Sequence, residues 1–292
     1  MLTTLLLALG ANLAFSTSTL FYAHYSKKYS SLWMNFFKAL VATAGFALIV
    51  LFIGFQPLHF DSIWMLSLSG FMGLFIGDLF LLKAMTYIGA GRTLMLFGFS
   101  PLILGLSAQY LFQQEFGTQR LIAILCLIGC LWSFAFESFK EKGHWEVKGL
   151  LFALIGVLLD NAGVLLTRQS FELSPEISPF QANFIRAFAA TAGFLAFSFL
   201  PRLQFSPIKI WKRMSLRDRY WMTAISFLGT CVSLGFYLTA IKSGHLATVS
   251  AVTVTSPLFA TLIEVLIGHK KANRYLWLGL FFFLSGFTIL LF

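Results

Sequence analysis

Ten stretches of about twenty largely apolar residues follow one another along the chain, and they constrain its fold more than any other feature. A helix needs about 20 apolar residues to cross roughly 30 Å of hydrocarbon. The stretches lie at 2–22, 32–54, 64–82, 92–113, 118–137, 149–170, 179–200, 220–241, 245–268 and 275–292. Barrel strands alternate in polarity and span only about ten residues, so runs of this length specify helices. Of the 292 residues 58% are hydrophobic and 11% charged, against about 25% charged in a soluble domain. Such a surface cannot face water, and 35 Phe suit a lipid-facing exterior. The expected class is an all-α, multi-pass membrane protein. The longest loop, 201–219, has no room for a folded domain. The first run is similar to a signal peptide but has no basic segment before it, and we read it as a retained helix.

The chain repeats itself. FKALVATAGF at 37–46 answers IRAFAATAGF at 185–194. The same offset of 148 pairs Asn12 with Asp160 and Asn35 with Asn183. After a loop lengthened by 8 residues the offset becomes 156, pairing Ala84 with Ala240, Ser100 with Ser256 and Pro101 with Pro257. The expected organisation is ten transmembrane helices as two five-helix repeats, at 1–141 and 147–292. An odd helix count per half turns the second copy upside down in the bilayer. Inverted repeats of this kind place a single site at the bilayer midplane.

Basic residues are distributed as topology demands. Sixteen of the 21 Lys and Arg fall in odd-numbered loops, whereas the even loops hold Arg120, Arg168 and Lys242. Cytoplasmic loops carry the Lys/Arg excess, so both termini are expected outside. The net charge of +10 therefore speaks for anionic lipid headgroups rather than nucleic acid.

Two cations remain, Lys38 and Arg186, each about two turns inside a helix. A charge at a helix centre costs about 2.5–3.5 kcal/mol on insertion scales, so each should face the bundle interior and find an anion. Asp78, Asp160 and Glu264 lie at membrane depth as candidate partners or proton carriers. One reading makes Lys38–Asp78 and Arg186–Asp160 structural ion pairs. The other gives the cations a substrate carboxylate or phosphate and the carboxylates a coupling proton, since a desolvated carboxyl gives up its charge readily. Pro101 and Pro257, read near the centres of two helices, are expected to act as hinges beside Ser100 and Ser256. Asn12, Ser16, Asn161, Tyr237, Thr253 and Thr255 add polar groups at similar depth. The substrate-binding candidates are thus Asn12, Ser16, Lys38, Ser100, Asn161, Arg186, Tyr237 and Ser256. The small residues of the repeated motif, such as Ala39, Ala42 and Gly45, let helices approach closely.

Catalytic patterns are missing: there is no HExxH, GxSxG, Walker A or CxxC. Cys126, Cys130 and Cys231 sit in apolar stretches and read as small buried thiols. His24, His59, His144, His245 and His269 lie at or near helix ends. No enzyme activity, metal or cofactor is expected. A lipid-modifying enzyme lacks its nucleophile or metal set; the alternative of another class is a non-transporting membrane scaffold, and polar groups repeated at midplane depth argue against it.

The whole pattern resembles the EamA-type, ten-helix branch of the drug/metabolite transporter superfamily. The resemblance is carried by LLKAMTYIGAG with its echo LTAIKSGHLAT, by SPLILGL and SPLFATL, and by RAFAATAGF and KALVATAGF. Glu115 in LFQQEFG matches the family's acidic position, whereas Lys271 occupies it in the second half. The resemblance implies export or exchange of small metabolites, often amino acids, through a central cavity in the cytoplasmic (inner) membrane of a bacterial cell. It also implies cytoplasmic termini, contrary to the charge count. The expected partners are a small-molecule substrate, the lipid bilayer and protons, with the chain as monomer or homodimer. Exchange of a sugar phosphate or nucleotide sugar is the rival substrate class.

Overall fold

The computed structural model describes residues 2–142, 146–199, 207–268 and 271–291, and every regular element among them is helical. His144, Arg202, His269 and Lys270 lie outside the described residues. The helices are α1 (Leu2–Lys28), α2 (Ser31–Ile53), α3 (Phe60–Ser69), α4 (Asp78–Phe97), α5 (Ser100–Phe112), α6 (Thr118–Lys142), α7 (Val147–Leu173), α8 (Pro179–Ser198), α9 (Pro207–Arg213), α10 (Leu216–Ser226), α11 (Ser233–Ser243), α12 (Leu246–Thr253), α13 (Ser256–Leu266) and α14 (Arg274–Leu291). Among the described residues two π-helical segments, Gly70–Gly77 and Phe227–Val232, join α3 to α4 and α10 to α11.

Helix ends follow local chemistry. Ser30 is extended and its hydroxyl accepts from the Trp33 amide, opening α2, which Gly54 closes at φ 84°. Ser178 accepts from the Gln181 amide, and Pro179 occupies the first turn of α8, where its missing N–H costs nothing. Among the described residues seven helical spans are long and apolar enough to cross a membrane, and Ser100–Phe112 and Thr118–Phe134 are shorter apolar helices. The exterior is built for lipid: Phe52, Phe199 and Leu266 are each more than four-fifths exposed.

The loop 201–219 holds a short helix, α9. Two expectations need correction. No loop separates the third and fourth apolar runs, because α4 is helical without interruption through 83–91. The prolines do not kink continuous helices. Each run is broken instead, between Phe97 and Ser100 and between Thr253 and Ser256, and Pro101 and Pro257 stand in the first turns of α5 and α13. A proline there removes an amide that no helical carbonyl requires. Any hinge belongs to these breaks rather than to the rings.

The packing joins distant parts of the sequence: α2 lies against α8, α6 against α14, α5 against α12, α4 against α7 and α1 against α11. Thr43 and Thr191, equivalent positions of the repeated motif, meet with hydroxyls 2.9 Å apart. Gly70 permits the tightest approach. A Cβ there would fall within 2.6 Å of the Arg186 Cα and closer still to its carbonyl oxygen, so only glycine lets the first π segment rest on α8.

Candidate functional site

At the break between α12 and α13, Asn12 of α1 supplies the hydrogen bonds that a continuous helix would have made. Its Nδ2 donates to the Val252 carbonyl at 2.8 Å and to Thr255 Oγ1 at 2.9 Å. Its Oδ1 accepts from Ser256 Oγ at 2.6 Å and from Ser16 Oγ at 3.3 Å. The second break has a counterpart: Asn161 of α7 donates to Ser100 Oγ at 3.3 Å. By contact the partner of Asn12 is therefore Asn161, one residue beyond the Asp160 that the constant offset selects. Asn12 is satisfied at both ends, whereas Asn161 Oδ1 is buried without a partner.

Neither Lys38 nor Arg186 forms the expected ion pair. Among the described residues the ion pairs are Lys28–Asp218 and Arg168–Glu172, both near helix ends. Lys38 instead donates to Asn35 Oδ1 at 2.8 Å, one turn back on α2, and its ammonium lies 5.1 Å from the centre of the Tyr22 ring. Arg186 is 2% exposed. Its Nε donates to Ser69 Oγ at 3.0 Å, while Nη1 is buried with no partner. Both charges have thus been met by neutral groups, and Arg186 only in part.

Asp160 lies near Arg186 without an ion pair to it, and Asp78 lies on the far side of Asp160, towards Lys38. Asp160 lies within electrostatic reach of Asp78, Arg186 and Tyr237, and Asp78 within reach of Lys38. Asp160 faces the backbone of the first π segment, its Oδ1 3.7 Å from where a Cβ on Gly73 would stand. A π segment widens a helix locally and is frequent at functional sites. Here it sets Asp78 at the start of α4 and opens glycine surface towards α7 and α8. Arg186, Asp160, Asp78 and Tyr237 form the candidate centre, with Asn161 next to Asp160 along α7; Asn12, Ser16 and Ser256 form a separate, satisfied cluster. Glu264 makes no hydrogen bond or ion pair with a described residue.

Ser69 was missed by sequence reasoning, although it holds the key cation. Its hydroxyl donates to the Gly163 carbonyl at 2.6 Å, pairs with Thr167 Oγ1 at 2.8 Å and accepts from Arg186. A lone serine in an apolar helix carries little signal; its place before GFMGLFIGD was the available clue.

With this geometry in view, the family model described as the EamA-like transporter family matches residues 2–135 and 147–292. The chain belongs to the EamA-like transporter family. It is a multi-pass membrane transporter. An uncharacterized transporter of Synechocystis sp. is 22% identical over 217 residues, a match covering 72% of this chain and 66% of that protein's length. A protein of known crystal structure, 16% identical, superposes with a TM-score of 0.76 over 98% of this chain and 97% of its own. That likeness shows a shared fold. The EamA assignment accounts for the apolar exterior and for polar groups held at depth.

At one end of the bundle, outside the spans, His245 Nε2 donates to the Glu115 carbonyl at 2.9 Å. Burial, together with the Arg120 guanidinium, pushes its imidazole down to about 4. It is neutral at physiological pH and acts as a structural tie.

Proposed function

We propose that the chain is a secondary transporter which exports a small polar metabolite of the amino-acid type across the cytoplasmic membrane by alternating access, with Asp160 and Asp78 as carriers of a coupling proton. The observation that carries this reading is the Arg186 guanidinium. It is buried at membrane depth, held by a single hydroxyl, and leaves one donor nitrogen unpaired. An unpaired buried polar group costs about 1–3 kcal/mol, more when charged. A site that tolerates such a cost is a site awaiting an anion. The neighbouring Asp160 and the unpaired Asn161 Oδ1 supply acceptors for an ammonium. One free cationic donor beside acceptors suits a zwitterion better than a phosphorylated dianion. The second cation such an anion would need, Lys38, is already engaged by Asn35 and Tyr22.

The halves 1–141 and 147–292 are read as inverted five-helix repeats of a ten-helix bundle. In a pseudo-twofold arrangement equivalent residues meet on the axis, as in an isologous interface. The Thr43–Thr191 contact and the pairing of α2 with α8 and of α6 with α14 fit that rule. The two π segments and the two helix breaks also recur at the offset of 156. The charge distribution favours cytoplasmic odd loops and outside termini.

The test is flux. Purified protein in liposomes loaded with a labelled amino-acid mixture should release label, and Arg186→Met should not. Release from liposomes loaded with sugar phosphates, with no amino-acid flux, would replace this reading by organic-anion exchange.

A further inference from the structure

The two helices that enclose Arg186 on one side are lined with hydroxyls along the face they share. On α3 and the π segment, Ser62, Leu66, Ser69 and Gly73 recur every three or four residues; on α7 and its C-terminal cap, Ser174, Ser170, Thr167, Gly163 and Asp160 do the same. The faces are in direct contact. Ser62 Oγ is 2.8 Å from Ser174 Oγ, Ser170 Oγ donates to the Ser62 carbonyl at 3.4 Å, and Ser69 Oγ is 2.8 Å from Thr167 Oγ1. All five hydroxyl-bearing residues are buried. At one end the seam meets a cavity of about 260 Å³ lined by Pro57, His59, Ser174 and Glu176, among others. At the other end stands Arg186, bonded to Ser69 through Nε and unpaired at Nη1.

Close packing alone does not account for this arrangement. Small residues suffice to bring helices together, and an interhelical hydrogen bond in a membrane contributes only about 0.6 kcal/mol on average. Hydroxyl faces differ from apolar ones when they part. Each group that loses its partner across the seam gains a water, so opening to an aqueous side costs little. The same end carries straps that water can also replace. Lys242 Nζ donates to the Pro175 and Ile177 carbonyls at 2.6 and 2.8 Å. Arg168 Nη1 donates to the Ile241 and Lys242 carbonyls, both at 2.7 Å. Gln56 and Gln181 bond reciprocally through the backbone of Gln56 at 2.9 and 3.0 Å.

We propose that the α3–α7 seam is the closed form of the passage by which Arg186 and Asp160 reach the membrane face bearing residues 54–59 and 174–178. This deepens the transporter reading and rests on it. Opening parts Ser62 from Ser174 and Ser69 from Thr167, releases the Lys242 and Gln181 straps, and hydrates the seam down to the unpaired guanidinium nitrogen.

The experiment uses the full chain with Cys126, Cys130 and Cys231 replaced by Ala, reconstituted in liposomes. Single Ser62→Cys and Thr167→Cys variants are exposed to a membrane-impermeant methanethiosulfonate. The control is Ala123→Cys, whose site is buried where α6 meets Gly286 of α14. The seam cysteines should react at least about tenfold faster than the control, because an open state populated at roughly 1–10% exposes them. Reaction no faster than the control overturns the proposal. A Ser62→Cys/Ser174→Cys variant supplies a second readout. Its disulfide should abolish flux of the labelled amino-acid mixture, and reductant should restore it. Full flux through the cross-linked protein also overturns the proposal. Flux with an unreactive seam refutes the seam alone, whereas absence of flux in the cysteine-free parent and in the wild type refutes the transporter reading beneath it.

Discussion

Replacing Arg186 by Met separates a binding residue from a structural strut. The guanidinium is 2% exposed within α8, and on the transporter reading proposed above a charge so placed costs about 2.5–3.5 kcal/mol on insertion scales. Against this stands one hydrogen bond from the charged group, to Ser69, contributing about 1.5–3 kcal/mol. Ser69 does not become an orphan when Arg186 goes, because its hydroxyl still donates to Gly163 and pairs with Thr167. A Met of similar length fills the space without a charge. The net change is therefore about 0 to +2 kcal/mol in favour of the variant. At roughly 2 °C per kcal/mol for a chain of this size, thermal unfolding in detergent should be unchanged or up to about 4 °C higher, while flux is lost. A fall in Tm of several degrees would refute the reasoning. It would mean that Arg186 is bonded to more than Ser69 and holds the bundle together.

Other consequences follow from the same contacts. Gly70→Ala should destabilise the protein by about 2 kcal/mol or more, since its Cβ would meet the Arg186 backbone and a packed helix has little room to yield; Gly117→Ala, with nothing within 4 Å, is the matched control in the same unfolding assay. Asp160→Asn and Asp78→Asn should each reduce flux by more than tenfold at normal membrane levels, as expected of groups that exchange a proton; wild-type flux in both would remove them from the mechanism. The folded-state pKa of His245 lies at about 4, below the unfolded value of about 6.5. The unfolded chain therefore binds more protons between these values, and stability should decline as pH falls from 6.5 towards 4 and stay level above 6.5. His245→Gln should flatten that slope in thermal scans across pH.

Much of the architecture was legible because hydrocarbon thickness fixes helix length, and because FKALVATAGF and IRAFAATAGF repeat six of ten residues. The continuity of α4 was not, since LLKAMTYIGAG mixes a cation with glycines and reads as a loop. That Lys38, Asp78, Asp160 and Arg186 lie within helical segments could be read from the sequence. Their rotation about each helix axis could not, and rotation decides whether Lys38 meets Asp78 or the Asn35 and Tyr22 that it does meet. The glycines of GFMGLFIGD were visible, but nothing local announced a π segment that brings Ser69 to Arg186. The prolines were seen and their role was misjudged, because a proline in an apolar run looks alike whether it kinks a helix or begins one.

The central claim is that an amino-acid-like zwitterion binds at Arg186. The most direct test is ligand-dependent thermal stabilisation of the wild type and of Arg186→Met, screened against amino acids, sugar phosphates and nucleotide sugars. A ligand at 100 times its Kd adds about 2.7 kcal/mol of stability, well above the noise of such a scan. The account predicts that amino acids raise the Tm of the wild type and leave Arg186→Met unmoved. Stabilisation confined to phosphorylated anions, or equal stabilisation of both proteins by amino acids, would contradict it.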